Sequence, residues 1–254
     1  MVDNTVTALT TQTLMGQSVE SNALLSTKYS LEVKGIKGSN FDLVSTFTKM
    51  KVKMSAMGND LNFDSDKKED MDGEYGGSFK KMINNPKGVT IDGSGKIMQL
   101  DTVATKSTGS QPDMMQLMMD QMLGDPAETG YGVNTAFVTT PGKIIPGYNW
   151  TDSSTIDGIQ KSTTYKVKEI KGNDAVIVIS GILNTDVKSQ MQGMNFINRL
   201  KGNLSGEEMV DLKTGVIKER ITTLESTGIV LLEAQAMEIP MTTKITFSSF
   251  VKPS

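Results

Sequence analysis

The sequence predicts a mainly β protein with a minor helical part: curved antiparallel sheets, two related halves and a few short helices. Apolar and polar residues alternate over much of the chain, the pattern of strands with one buried face. Glycine-bearing turns separate these runs at hairpin spacing. Two such hairpin phrases then recur, in the same order, in the second half. A chain of 254 residues is long enough to bury a core without staples.

The first thirty residues are polar and threonine-rich, without the basic start and apolar stretch of a secretory signal. Such a start is equally compatible with removal of a preceding segment. Residues 27–57 are expected to form a long hairpin. Tyr29, Leu31 and Val33 alternate with polar neighbours, residues 34–40 supply the turn, and Phe41, Leu43, Ser45 and Phe47 resume the alternation. At Met50 the apolar phase moves to Met50, Val52 and Met54, which calls for a bulge or for a strand that bends across two sheets.

Residues 64–74 are acidic and carry the weak metal candidates Asp64, Asp66, Asp70 and Asp72. With Gly73 set at the sixth position of a calcium loop, the first position is Lys68 and the twelfth Phe79. The ligands that matter most are missing, so a solvated loop and no metal site are expected. A short helix is expected over 78–84, with Phe79, Met82 and Ile83 on one side and Asn85-Pro86 as its stop. Residues 89–97 read as a second hairpin around Asp92-Gly93-Ser94-Gly95. Lys96 there leads into a strand rather than a helix, so the segment is a turn and not a phosphate loop.

Ser110-Gln111-Pro112-Asp113 has the marks of a helix start. Met114, Met115, Met118, Met119, Met122 and Leu123 then form one broad apolar face of a helix ended by Gly124-Asp125-Pro126. Five of the chain's 18 methionines fall within these nine residues, a density beyond ordinary gap filling. This face is expected either to pack as core or to cover an apolar groove. The organisation that follows is a β-rich half over 1–123, a connection over 124–134 and a second β-rich half over 135–254, which together can form one continuous domain.

Trp150 follows Pro146-Gly147-Tyr148-Asn149 and is expected to anchor a core at the start of a strand. Residues 165–179 repeat the first hairpin: Tyr165, an alternating strand, Ile170-Lys171-Gly172 and the apolar return 175–179. Val187, Met191 and Met194 are spaced as on a helix, interrupted by Gly193. Residues 209–217 repeat the second hairpin, with Asp211 before the turn and Gly215-Val216-Ile217 after it. Any all-β chain repeats hairpin phrases, and the shared order makes duplication an equal alternative to that reading. The last strand, 243–250, places Ile245 and Phe247 on one face and Lys244, Thr246 and Ser248 on the other.

The functional exclusions follow from composition. Neither histidine nor cysteine occurs, which removes Ser-His-Asp and Cys-His catalysis, thiolate zinc sites and disulfides. Twenty-six basic against 29 acidic residues give a net charge of −3, with no basic cluster suited to nucleic acid. Apolar runs of about five residues fall far short of the roughly 20 needed for a transmembrane helix. No cofactor is implied. Carboxylate chemistry through Asp64, Asp66, Asp92 or Asp211 stays formally open, with no spacing that favours any pair.

Several of these phrases, taken in order, resemble a family of uncharacterised envelope-associated proteins of Bacteroidetes, the DUF6263-like proteins. The matching words are Met15-Gly16-Gln17, Phe63-Asp64-Ser65-Asp66, Gly95-Lys96-Ile97, residues 146–152, Tyr165 with residues 170–173, and Asp211 with residues 214–217. The resemblance implies export, commonly as a lipoprotein, and no established activity. The chain has no lipid-bearing cysteine. The expectation is therefore a non-catalytic envelope protein that binds an apolar or lipid-like ligand in a groove between curved sheets, at Met114, Met115, Met118, Met119 and Met122. Its alternative is an interaction subunit that docks on an envelope protein partner and has no ligand cavity.

Overall fold

A computed structural model describes residues 1–14, 16–56, 59–73, 76–80, 83–101, 132–156, 158–191 and 194–252. Twelve strands form one antiparallel sheet. They are β1 (Val2–Leu14), β2 (Gln17–Lys37), β3 (Asn40–Ala56), β4 (Asn59–Asp64), β5 (Lys87–Ile91), β6 (Ile97–Leu100), β7 (Asn149–Ile156), β8 (Ile159–Lys171), β9 (Asp174–Met191), β10 (Met194–Asp211), β11 (Ile217–Leu232) and β12 (Met237–Val251). The order across the sheet is β6-β5-β3-β2-β1-β12-β11-β10-β9-β8-β7, with β4 paired to the upper part of β3, and it does not close into a barrel. Three short helices, α1 (Lys68–Asp72), α2 (Gly76–Phe79) and α3 (Val133–Ala136), complete the described structure with a 3-10 turn at Glu233–Gln235.

The mainly β expectation holds, and the two hairpin phrases correspond in detail. In the first, Val33 and Gly35 face Leu43 and Asp42, so Lys34 is an extra residue in the ladder. In the second, Val167 and Glu169 face Ile177 and Val176, so Lys168 is the extra residue. Each bulge precedes the same Ile-Lys-Gly word, and Gly38 and Gly172 take left-handed φ of 63° and 62° in two-residue turns. The later hairpins also agree. Met98 bulges after Ile97, and Lys218 bulges after Ile217. The strand sequence β1-β2-β3-β5-β6 thus matches β7-β8-β9-β10-β11. The two tyrosines are an exception, since Tyr29 lies four residues before its valine and Tyr165 two.

The phase change in β3 is also real. Lys28 faces Lys49 and Tyr29 faces Phe47, which leaves Thr48 as a bulge. Its hydroxyl donates to the Lys28 carbonyl at 3.2 Å. Leu43, Ser45 and Phe47 are buried before it, Met50 and Val52 after it. One residue of slip keeps both runs on the same face.

Two helical expectations are corrected. Residues 187–191 and 194–200 are not helical but belong to β9 and β10, which pair without a register shift. Helical spacing at three residues is outweighed there by an unbroken ladder on both sides. Among the described residues of the helix expected at 78–84, only a single turn at Gly76–Phe79 is helical, and Asn84 sits at φ 58°, outside helical geometry. The helix expected at 110–123, with Met114, Met115, Met118, Met119 and Met122, lies outside the described residues.

The sheet must curl, and a short segment shows how far. Val138 N–H donates to the Gly215 carbonyl at 3.0 Å, and Thr140 N–H donates to the Ser94 carbonyl at 3.3 Å. Gly215 lies in the β10–β11 turn and Ser94 in the β5–β6 turn. Strands β5 and β11 are five spacings apart in the sheet, about 24 Å if it were flat. A strap of a few residues can touch both only if the sheet bends around it. Glycines let strands approach closely on the bend: a Cβ on Gly228 would lie 1.9 Å from the Arg199 carbonyl oxygen, and one on Gly206 2.2 Å from that of Ile221.

The core fills the inside of this curl. One cluster joins Val6, Leu25, Phe47, Met50, Val52 and Phe63. A second joins Trp150, Val167, Ala175, Ile177, Val210 and Ile217 with Val138 of the strap. In a third, Val133 of α3 packs on Leu43, Val89 and Ile91.

Candidate functional site

Cross-strand register assigns every side chain of the long strands to one face. Val6, Leu25 and Val52 are core residues in register with one another and with Phe247, Thr222, Gly206 and Ile179. Counting upward in twos gives the rest of the inner face. On β10 it carries Leu204, Gly202, Leu200, Asn198 and Phe196. On β11 it carries Leu224, Ser226, Gly228, Val230 and Leu232, and on β12 Ile245, Thr243, Met241, Ile239 and Met237. β9 adds Gly181, Leu183, Thr185 and Val187. None of these residues is ionisable.

The outer face of the same strands carries the charges, alongside the apolar Ile182, Ile197, Ile229 and Leu231. Asp186, Lys188, Arg199, Lys201, Glu225 and Lys244 all fall on it. Lys244 pairs with Glu225 at 2.9 Å, and Arg199 with Asp186 at 3.5 Å. A shallow depression of about 370 Å³ on that side is lined by Leu9, Thr11, Lys201, Asn203, Glu225 and Thr227 among others. Its charges suit water better than an apolar guest. The inner residues Leu200, Leu204, Leu224, Met241 and Ile245 are half-buried, in contrast to the sealed core below.

A polar row separates the two zones. Thr27, Asn4, Ser249, Arg220 and Glu208 stand opposite one another on β2, β1, β12, β11 and β10. The Glu208 side chain is fully buried; Arg220 binds one of its oxygens, Oε2, through Nε at 2.7 Å and Nη2 at 2.6 Å. Arg220 Nη1 donates to the Asn134 carbonyl at 3.1 Å, and Ser249 Oγ donates to that of Thr135 at 3.4 Å. The row therefore supplies donors to carbonyls of α3 and holds the strap against the sheet. Burial pushes the Tyr29 phenol, one position below the row, up to about 12, against the opposing effect of the Thr27 hydroxyl.

The acidic candidates do not converge. Asp64 pairs with Lys51 at 2.7 Å, Asp66 with Lys49, and Asp72 with Lys80 at 2.9 Å. Asp70 accepts the Asp64 N–H at 2.7 Å. Among the described residues no cluster of three or more carboxylates is placed to hold a metal. Asp92 and Asp211 are turn formers. Asp92 Oδ1 accepts from the Ser94 hydroxyl at 2.6 Å and from the amides of Ser94 and Lys96, which holds the carboxyl below its ordinary range. Burial raises the Asp211 carboxyl, but donation from Lys213 and Thr214 outweighs it and leaves the group lowered. The corresponding glycines, Gly95 and Gly215, each carry a positive φ before the return strand.

Trp150 is a core anchor as expected. It is 8% exposed and stacks on Tyr165 with centroids 5.1 Å apart. Sequence reasoning missed the inner face of β9–β12. Its signal was the absence of ionisable residues at alternate positions in four consecutive strands. The methionine candidates 114, 115, 118, 119 and 122 lie outside the described residues. No helix among the described residues is long and apolar enough to cross a membrane.

These features define a curled, open antiparallel sheet with an internal strap and an uncharged inner face. The chain belongs to DUF6263, a family of unknown function whose model matches residues 38–217. No curated protein matches the sequence. Among solved structures it is similar to the crystal structure of OccK7 (OpdD) from Pseudomonas aeruginosa, with 7% identity over 98% of this chain and 97% of that one. The TM-score is 0.18, too low to carry an argument.

Proposed function

We propose that the inner face of β9–β12 receives an apolar, lipid-like ligand and that the protein is a non-catalytic binding domain of the cell envelope. The observation that supports this reading is the segregation of charge. Four long strands direct their ionisable side chains outward above the Glu208–Arg220 pair, while the inner Leu200, Leu204, Leu224 and Ile245 keep part of their surface accessible. Covering such surface with an apolar guest is favourable at about 25 cal/mol per Å² removed from water. A charged or strongly polar ligand would find only hydroxyls, one amide and backbone there.

The experiment is a fluorescence titration with anilinonaphthalene sulfonate. Leu200→Lys and Leu224→Lys each place a charge on the inner face, and Thr227→Lys places one on the outer face. Saturable binding by the parent and by Thr227→Lys, lost in the two leucine variants, is the expected result. Absence of saturable binding in the parent, or equal binding in all four proteins, would overturn the reading. The envelope location is tested separately, by fractionating host cells and probing each fraction with antibody.

A further inference from the structure

Strand β7 ends the sheet, and its side away from β8 pairs with nothing among the described residues. Edges of this kind are normally blunted by charged side chains, above all lysine, by proline, by bulges or by shortness. β7 has one of these devices, the charge of Asp152, and lacks the others. It reads Asn-Trp-Thr-Asp-Ser-Ser-Thr-Ile over eight residues, contains no Lys, Arg or Pro, and pairs with β8 without a register shift. Residues 151–156 are exposed. The edge at the other end, β6, is only four residues long and is bulged against β5.

From this we infer that β7 pairs antiparallel with β7 of a second copy of the chain, joining two sheets into one. The ladder itself narrows the choice of register. Val167 N–H donates to the Tyr148 carbonyl at 2.9 Å. Stepping by two along the unshifted ladder, Trp150, Asp152, Ser154 and Ile156 exchange backbone bonds with β8. Thr151, Ser153 and Thr155 therefore turn their N–H and C=O groups to the free side. The side chains agree, because Thr151–Thr164 and Ser153–Ser162 hydroxyl contacts of 2.9 Å mark the closer, non-bonded pairs.

Outward-bonding residues can pair only with outward-bonding residues. One of the two registers that overlap seven of the eight residues puts Ser153 against Ser153 of the partner subunit, with Thr151 opposite the partner's Thr155. Asp152, the single charge of β7, then faces the partner's Ser154, so no like charges meet. Ile156, 50% exposed in the single chain, comes beside the partner's Trp150 and its stack of tyrosines. The other, equally long register sets Asp152 against its own copy and leaves Ile156 without a partner. Charge and apolar contact therefore select the Ser153 register.

The test uses sedimentation of the whole chain over a dilution series, with two variants at the two-fold axis. Ser153→Lys sets lysine against lysine. Ser153→Cys sets two thiols on a bonded pair about 5.5 Å apart at Cα, within the range of about 4.4–6.8 Å for a disulfide. The parent has no cysteine, so any cross-link is unambiguous. The parent should move from 27.5 kDa towards twice that mass as concentration rises. Ser153→Lys should stay monomeric with an unchanged circular dichroism spectrum and melt. Ser153→Cys should cross-link under mild oxidation, while Asn22→Cys on exposed β2 should not. A parent that is monomeric at every concentration, a Ser153→Lys dimer, or a Ser153→Cys protein that does not cross-link would each overturn the inference.

Discussion

Arg220→Ala should be among the most damaging single substitutions in this protein. It removes the two contacts to Glu208 Oε2, at 2.7 and 2.6 Å, and the bond to the Asn134 carbonyl at 3.1 Å. The Glu208 side chain is 0% exposed and that of Arg220 only 17%, so water does not screen the pair in the folded state. Removing one member of such a pair costs about 3–5 kcal/mol, mostly as an uncompensated buried charge. At about 2–4 °C per kcal/mol for a chain of this size, the melting temperature should fall by about 6–20 °C. The assay is calorimetry with hydrogen exchange, and amide exchange at Val138 and Thr140 should rise as the strap loosens. Adding Glu208→Gln to the variant removes the stranded charge and should restore part of the loss. A loss below about 1 kcal/mol, or no rescue by Glu208→Gln, would refute a buried-charge account of the row.

Other consequences follow from the same geometry. Tyr29, raised by burial to about 12, contributes stability that is complete below its unfolded pKa of about 10 and lost as pH rises between about 10 and 12; ultraviolet titration should show a late tyrosine, and titration of every tyrosine together near 10 in the folded protein would contradict it. Gly95→Ala should destabilise more than Gly38→Ala in urea melts, since both residues have positive φ but only a Cβ on Gly95 would meet the Val138 carbonyl oxygen, at 2.5 Å. Asp92 and Asp211 are held below the ordinary carboxylate range, so their contribution is present above it and is lost as pH falls through their lowered values; Asp92→Asn and Asp211→Asn should each flatten the acid limb of a stability profile. Calcium should leave the melting temperature unchanged, because lysines and a backbone amide already occupy Asp64, Asp66, Asp70 and Asp72.

The parts of the fold legible in the sequence were those written by local chemistry. Gly38, Gly172, Gly95 and Gly215 announce turns because each needs a positive φ, and the moved phase at Met50 announces the Thr48 bulge because one face must stay buried. β1 and the upper half of β2 were not legible. Their inner positions are Ala8, Thr10 and Gln12 facing Ala23, Ser21 and Val19, so no strong alternation marks them. Strand character there comes from pairing with β12, 239 residues away at Thr7 and Thr246. The upper parts of β9 and β10 misled for a related reason, since Val187, Met191 and Met194 have helical spacing while their neighbours pair in a ladder. The polar row was invisible because Thr27, Asn4, Ser249, Arg220 and Glu208 come from five separated stretches. Only the sheet order makes them one feature.

An apolar ligand on the uncharged inner face of β9–β12, as proposed, should stay with the protein through gentle purification. Native mass spectrometry of the protein purified from its own host, followed by solvent extraction, tests it most directly. A bound species with apolar character is expected, released by extraction and absent when Leu200→Lys and Leu224→Lys are combined. A parent protein that flies at its bare mass under gentle conditions and releases nothing on extraction would contradict it, as would an equal yield of the same species from the double variant.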